Sequence, residues 1–231
     1  MKLPVAILAG GLATRLRPIT QTIPKSLLPV AGKPFIEHQL ALLSENGLDQ
    51  VIICVGHLGE KIRDTIQDGS RLGLKVEYSF DGPLQLGTAG ALKKAIPLLG
   101  ETFFVLYGDS YLEIDYQKVQ AAFRQSKKLS LMTVYRNEGQ WDRSNVLLKE
   151  GKIIRYDKKN PEQGMRHIDY GLGILTAEAL SLVPDNKPYD ISEVYSQLAA
   201  RGRLAALEVT RRFYEIGSPE GLKETEQYLS R

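Results

Sequence analysis

The chain has 231 residues, enough for one substantial core or two small ones, and its hydrophobic content of 43% and charged content of 25% are those of a soluble globular protein. A net charge of +3 with no dense basic tract argues against a nucleic-acid surface, and no apolar run approaches the roughly 18 residues of a membrane span. The single cysteine, Cys54, excludes a disulfide framework and a cysteine-rich zinc site, and Met1-Lys2-Leu3-Pro4 carries no signal-peptide core, so a cytoplasmic protein acting on small polar anions is expected.

Val5–Leu8 is an apolar, β-branched run of strand length. Gly10-Gly11 follow at once and lead into a polar, cationic loop carrying Arg15 and Lys25. Glycine permits positive φ and has no Cβ, so backbone here is built to approach a ligand, and exposed N–H groups in such a loop make an anion-binding concavity. Arg15 adds a planar guanidinium suited to phosphate oxygens, and Lys25 adds a point charge. Pro24 and Pro29 predict an extended segment that presents Lys25 rather than winding it into a helix. Neither Gly-x-Gly-x-x-Gly nor Gly-x-x-x-x-Gly-Lys-Ser/Thr is present.

Residues 34–43 have apolar positions at helical spacing, stopped by Asn46-Gly47. A strand over 51–55, a short helix over 60–67 ended by Asp68-Gly69, and a strand over 74–79 come next. Residues 88–99 read as a helix with Thr88 as its N-cap and free N–H groups at its start, and 103–107 as another strand. In the second half, 116–127 is helical and 130–135 a strand. Residues 145–149 and 152–157 flank Glu150-Gly151, a hairpin signal. Residues 170–175 form a strand, and Asp190-Ile191-Ser192-Glu193 is a capping box opening a helix to about 201. Strands are expected at 204–209 and 212–216, and Ser218-Pro219 opens a last helix. The strand–helix alternation argues a mainly parallel sheet with helices on both faces and ligands at the carboxyl ends of its strands. Asp109 of Gly108-Asp109 follows a strand, where a carboxylate can hold Mg²⁺ against phosphate oxygens. Cys54 reads as a buried strand thiol, and His38, His57 and His167, which lack metal spacing, as structural or surface residues.

The combination Gly10-Gly11-x-x-Thr14-Arg15-Leu16-x-Pro18, Pro24-Lys25-Ser26-Leu27-Leu28-Pro29 and Lys33-Pro34 resembles the signature of the sugar-1-phosphate nucleotidylyltransferases, the nucleotide-sugar pyrophosphorylases. The likeness implies an α/β, Rossmann-like three-layer fold with a mainly parallel mixed sheet in a single domain, 1-231, with no hexapeptide-repeat domain after it. One position departs: the family usually carries glycine where this chain has Ala13, which is strained if that residue needs positive φ. The loop, with Leu8, Ala9, Gly10, Gly11 and Thr14, would wrap the nucleoside triphosphate. Arg15 would contact the leaving pyrophosphate, and Lys25 would sit near the reacting phosphates.

The same resemblance implies that Asp109 binds Mg²⁺. The second ligand is an aspartate in Asp-x-Gly-Ser/Thr-Pro-Glu, where this chain has Glu215-Ile216-Gly217-Ser218-Pro219-Glu220, so Glu215 is expected to ligate. The pattern Leu86-Gly87-Thr88-Ala89-Gly90-Ala91 would lie against the nucleobase, with Gly87 and Thr88 in contact and Asp81 and Gly82 reading the base edge. Tyr156-Asp157-Lys158 resembles the family's Glu-Lys-Pro region, placing Asp157 and Lys158 on the sugar phosphate. Asp169-Tyr170-Gly171 resembles its Asn-Ala-Gly region, placing Asp169 and Gly171 on the sugar. Asn145, in Trp141-Asp142-Arg143-Ser144-Asn145, joins them.

The expected activity is Mg²⁺-dependent transfer of a nucleoside monophosphate from a nucleoside triphosphate to a sugar 1-phosphate, releasing pyrophosphate. The 141–145 and 214–218 segments resemble those of heptose 1-phosphate guanylyltransferases, so GTP with a manno-configured sugar is the first expectation and UTP with a hexose or hexosamine phosphate the alternative. A cytidylyl- or molybdopterin-cofactor transferase of the same fold, or a nucleotide-sugar-binding regulator without turnover, are the rivals. No nucleic-acid or membrane partner is expected, and a homo-oligomer is left open.

Overall fold

The computed structural model describes residues 2–185 and 187–231. Its main sheet is nine-stranded: β1 (Val5–Leu8), β2 (Gln50–Val55), β3 (Lys75–Phe80), β4 (Thr102–Tyr107), β5 (Ser130–Arg136), β6 (Val146–Lys149), β7 (Lys152–Tyr156), β8 (His167–Thr176) and β9 (Leu204–Val209). The order β3-β2-β1-β4 is parallel throughout, and β1, β2 and β4 are the buried apolar runs that such a sheet favours. β8 then runs antiparallel to β4 on one side and to β5 on the other, and β9 pairs parallel to β5. The β6–β7 hairpin joins the start of β8 through His167 and Val146. Glu150 and Gly151 both hold positive φ, 49° and 71°, at its turn, the geometry that matches strand twist.

Alternation along each strand divides the core. Ala6, Ile52, Phe103 and Val105 pack with α3 (Gly87–Leu99) and α5 (Ile191–Ala200) on one face. Val5, Ile7, Val51, Ile53 and Phe104 pack with α1 (Phe35–Glu45), α2 (Gly59–Ile66) and α4 (Tyr116–Ser126) on the other. The result is the expected three-layer α/β fold with a mainly parallel mixed sheet. α6 (Pro219–Leu229) starts where Ser218-Pro219 predicts, with Ser218 Oγ accepting from Gly221 N–H at 3.0 Å. Among the described residues no helix is long and apolar enough to cross a membrane.

Several local expectations are corrected. The segment at Lys25 is not extended: residues Lys25–Leu27 make one 3-10 turn between Pro24 and Leu28, whose ψ angles of 140° and 134° confine it. Thr88 does not cap α3. Leu86 is the N-cap residue, and Thr88 Oγ1 accepts instead from Ile191 N–H at 2.7 Å. The N–H groups of Ala89 and Gly90 are not free either, because both donate to Tyr189 O, at 2.9 and 3.3 Å. Asp190 does cap α5 by accepting from Ser192 N–H at 2.8 Å, but Glu193 reaches Lys159 Nζ at 2.5 Å rather than back to Asp190. The strand expected over 212–216 shrinks to Tyr214–Glu215, paired antiparallel with Ser110–Tyr111, a strand no periodicity announces.

Candidate active site at the carboxyl edge of the sheet

The register of the parallel strands brings four connecting segments together. Leu8 lies beside Cys54 on one side and Tyr107 on the other. The segments after these strands, Gly10-Gly11, Gly56, Asp81 and Gly108-Asp109, therefore meet at one edge. Gly10 and Gly56 approach so closely that a Cβ on Gly10 would lie 3.1 Å from Gly56 N, and one on Gly56 would lie 2.8 Å from Gly10 O. The two loops could not cross here with side chains between them.

The opening loop takes its left-handed turn at alanine rather than at glycine. Ala13 sits at φ 47°, ψ 46°, held by Thr20 Oγ1 and Leu16 N–H on its carbonyl at 2.9 and 3.1 Å. Neither Gly10 nor Gly11 has positive φ. Among the described residues no protein group accepts from the N–H groups of Gly10 through Ala13, which is the unsatisfied donor run an anion would fill. Ala13 bears a left-handed penalty of about 1–2 kcal/mol. Ala13→Gly is therefore expected to raise stability by about 0.5–1 kcal/mol after the unfolded-state entropy of glycine is set against it. A higher denaturant midpoint at unchanged slope is the expected result, and a lower midpoint contradicts the strain.

Downstream of the loop, Lys25 Nζ lies 2.6 Å from Asp109 Oδ2, with 21% and 27% of the two side chains exposed. Burial works to raise the Asp109 carboxyl, but the Lys25 ammonium and the more distant Lys158 outweigh it and hold Asp109 below the ordinary carboxylate range. The late chain arrives through the short ribbon: Glu215 pairs with Ser110, and Ile216 N–H donates to Asp109 O at 2.9 Å. Glu215 folds back on the start of α6, accepting from Gly217 N–H and from Ser218 Oγ, the latter at 2.8 Å. Gly217 marks where the charges converge. A Cβ there would lie 2.6 Å from Glu215 Oε2, 3.0 Å from Arg15 Nη2 and 3.3 Å from Asp109 Oδ2.

A cavity of about 430 Å³ opens beside this cluster. Of the sequence-expected residues, Leu8, Ala9, Gly10, Gly11, Lys25, Asp81, Gly87, Thr88, Asp109 and Lys158 line it. Arg15 and Glu215 stand beside it at Gly217, while Thr14 and Gly82 lie outside its wall. Asp81 Oδ2 accepts from Leu86 N–H at 3.2 Å, and Lys94 Nζ donates to Asp81 O at 3.1 Å. Burial raises the Asp81 carboxyl despite these contacts. Gly87 has φ 70° and lies against the Tyr189 backbone, where a Cβ would come 2.6 Å from Tyr189 O.

Of the residues expected on the sugar side, Lys158 is the one that lines the cavity. Asp157 does not line the cavity; it closes its own turn by accepting from Lys159 and Asn160 N–H at 3.0 and 2.8 Å. Asn145, Asp169 and Gly171 form one hydrogen-bonded unit outside the cavity. Asn145 Oδ1 accepts from Asp169 N–H at 3.0 Å, and Asp169 Oδ1 accepts from Gly171 N–H at 3.1 Å. Tyr107, a wall residue, donates to Asp169 Oδ2 at 2.6 Å and links that unit to the cavity. Trp141 lies under the Arg212 guanidinium, 3.4 Å from its ring centroid.

Gln85, Tyr107, Pro188, Asp190 and Ile191 also line the cavity and were not expected there. The only local signal among them was the helix cap at Asp190. What carries 188–191 to the wall is the docking of Tyr189 on Leu86 O at 2.8 Å and on the first turn of α3, a contact between distant segments. Cys54 reaches the wall but is 1% exposed, and burial, with Asp81 nearby, pushes its thiol up to about 12, so it is inert as a nucleophile. His38 Nε2 is engaged with Val30 O at 2.7 Å, and His167 faces Glu208 at 3.2 Å.

Asp109 and Glu215 are hard oxygen donors meeting at one point, which suits Mg²⁺. Among the described residues no group of three or more metal-ligating side chains exists, so an ion held here would need further ligands from outside the protein, and Mg²⁺ commonly takes phosphate oxygens and water.

Residues 5–143 match the nucleotidyl transferase family. The chain is 32% identical over 213 residues to a UTP–glucose-1-phosphate uridylyltransferase of Synechocystis sp., covering 85% of this chain but only 55% of that protein; the chain thus spans about half of that relative's length. It is 29% identical over 214 residues to a D-glycero-alpha-D-manno-heptose 1-phosphate guanylyltransferase of Campylobacter jejuni, covering 93% of this chain and 94% of the relative. Among solved structures, HddC from Yersinia pseudotuberculosis complexed with GMP-PN superposes with a TM-score of 0.81 at 25% identity, over 98% of this chain and 99% of that one. A parallel sheet that gathers an unsatisfied N–H loop, two cations and two carboxylates at its carboxyl edge, and a family match over more than half its length, place this chain in the nucleotidyl transferase family.

Proposed function

We propose that the protein joins a nucleoside triphosphate to a sugar 1-phosphate, forming a nucleotide-sugar and pyrophosphate with the help of a divalent cation. The observation that carries this reading is the convergence of Arg15, Asp109 and Glu215 on Gly217, with Lys25 on Asp109, beside a cavity walled by Gly10 and Gly11, whose N–H groups no protein group accepts from. A sugar-phosphate oxygen attacks the α-phosphorus in line, the bond from that phosphorus to the bridging oxygen breaks, and pyrophosphate leaves with the electron pair. The Gly10–Ala13 backbone cradles the triphosphate, and Thr14 orders the turn that follows. Arg15 and Lys25 neutralise charge on the leaving group. Lys158, on the cavity wall, holds the incoming phosphate. Asp109 and Glu215 would hold Mg²⁺, which supplies charge neutralisation at the phosphates. No covalent enzyme intermediate is needed, and positioning carries the remainder.

The base lies along Asp81, Gly87 and Thr88, with Gly82 shaping the loop through its φ of 89°. Asn145, Asp169 and Gly171 act on the sugar side through Tyr107, whose hydroxyl Asp169 fixes. GTP is the favoured nucleotide because the Asp81 carboxylate accepts from the two donors on guanine's Watson–Crick edge, which uracil does not offer. The Campylobacter and Yersinia relatives carry guanine names or ligands, and the Synechocystis relative carries the uridylyl alternative. A manno-configured sugar 1-phosphate is the matching acceptor.

A pyrophosphate-release panel crossing GTP, UTP, CTP and dTTP with mannose, heptose, glucose and N-acetylglucosamine 1-phosphates tests this. GTP with a manno-configured phosphate is expected to react fastest. Asp81→Ala is expected to shrink the GTP:UTP preference by about 10–100-fold, the size of one bidentate base contact. Because burial raises the Asp81 carboxyl, the preference should also fade on acidification, above the pH at which an ordinary aspartate protonates. An unchanged ratio removes Asp81 from base selection. Release with no pair would leave a nucleotide-sugar-binding regulator.

A further inference from the structure

Both carboxylates proposed to hold the ion are already engaged. Lys25 Nζ lies on Asp109 Oδ2 at 2.6 Å, and Glu215 accepts from Gly217 N–H and from Ser218 Oγ. No third metal-ligating side chain joins them among the described residues. An ammonium 2.6 Å from Oδ2 repels a divalent ion arriving on the same carboxylate, so Lys25 in this position weakens metal binding at Asp109. Lys25 is also not free to leave by itself. Its side chain is only 21% exposed, its departure would strand Asp109, and two unpaired charges in a partly buried site are costly.

The lysine can leave once another anion is presented. The triphosphate supplies one at the N–H groups of Gly10 and Gly11, which no protein group accepts from and which share the cavity wall with Lys25 and Asp109. We propose that Lys25 is the resident cation of Asp109 in the nucleotide-free protein, and that the triphosphate draws it away, so the divalent ion binds with the nucleotide and not before it. The inference rests on the site assignment under Proposed function. Its consequence is reciprocal coupling: nucleotide strengthens metal binding, and metal strengthens nucleotide binding to the same degree. It also gives Lys25 two successive partners, a carboxylate at rest and a phosphate in the complex, without a second lysine.

The test is a Mn²⁺ titration followed by electron paramagnetic resonance, with the α,β-methylene analogues of GTP and UTP as unreactive nucleotides. Without nucleotide, Lys25→Met is expected to bind Mn²⁺ about tenfold or more tighter than the wild type, within the usual range of site coupling. Lys25→Gln should behave alike, and adding Asp109→Asn to Lys25→Met should abolish the gain. A nucleotide-free wild type that binds Mn²⁺ as tightly as Lys25→Met overturns the proposal. A second arm measures analogue affinity with and without Mn²⁺. Mn²⁺ should strengthen it in the wild type and not in Asp109→Asn. Equal strengthening in both would mean that Asp109 does not hold the ion, so the site assignment fails and takes the proposal with it. Strengthening lost in Asp109→Asn, with no gain in Lys25→Met, leaves the assignment standing and refutes the lysine's role alone.

Discussion

Lys25→Ala is expected to lower kcat by about 10²–10³-fold, or roughly 3–4 kcal/mol of transition-state stabilisation, the typical loss when one preorganised charge partner is removed. The lysine is held by a 3-10 turn between two prolines, at the end of a cavity wall, with its ammonium on the carboxylate proposed to hold the ion. In the reacting complex that charge falls on phosphate oxygens whose negative charge grows as pyrophosphate departs. The same substitution should tighten Mn²⁺ binding to the nucleotide-free protein. Slower turnover together with tighter bare-metal binding is a pair of signs that unfolding does not produce. Single-turnover pyrophosphate release at saturating substrates measures the loss, and near-native turnover would place the chemistry elsewhere. Arg15→Ala should fall in the same range without the gain in metal affinity, because Asp109 pairs with Lys25 and not with Arg15.

Gly217→Ala is expected to cost about 10²-fold or more in kcat while leaving the fold intact. The backbone at Gly217 is not in the left-handed region, so alanine is conformationally acceptable there. Its methyl carbon would arrive 2.6 Å from Glu215 Oε2, 3.0 Å from Arg15 Nη2 and 3.3 Å from Asp109 Oδ2. The first of these separations is one that real Cβ atoms do not show, so Glu215 must shift, and Arg15 with it. A displacement of about 1 Å in a positioning group is enough for a loss of this size. The Mg²⁺ concentration at half-maximal rate should rise, and the thermal midpoint should stay close to that of the wild type. Near-native kcat and an unchanged Mg²⁺ requirement would separate Glu215 from the ion. Gly221→Ala approaches Glu215 Oε1 from the α6 side and should shift the Mg²⁺ requirement in the same direction.

What the sequence determined by itself is local. The alternation of apolar strands and amphipathic helices was sufficient for the three-layer sheet, because burial on two faces leaves a periodic trace in the chain. The Ser218-Pro219 helix start and the Glu150-Gly151 turn were legible because each is decided by the backbone preferences of two or three adjacent residues. The position of Asp109 on the cavity wall was legible because it follows a strand whose carboxyl end faces the crevice. Ala13 posed a question that only the backbone could answer, since its left-handed φ is imposed by Thr20 and Leu16 closing the turn around it.

Tertiary structure decided the contacts between distant segments. Lys25 meets Asp109 across 84 positions, and Glu215 is brought beside Asp109 by a ribbon only two residues long on each strand. Two paired residues carry no periodicity, and their register is set by the packing of α6 and by the hydrogen bond from Ile216 to Asp109 O. Tyr189 turned the expected open start of α3 into a satisfied one, because its carbonyl competes for donors that local sequence leaves unassigned. Asp169 and Asn145 form a hydrogen-bonded unit with Gly171 and Tyr107, since buried polar atoms take the partners that the fold brings within reach. Side-chain chemistry is written residue by residue, whereas which charge faces which depends on strand register and loop docking, and those are settled only when the whole core closes.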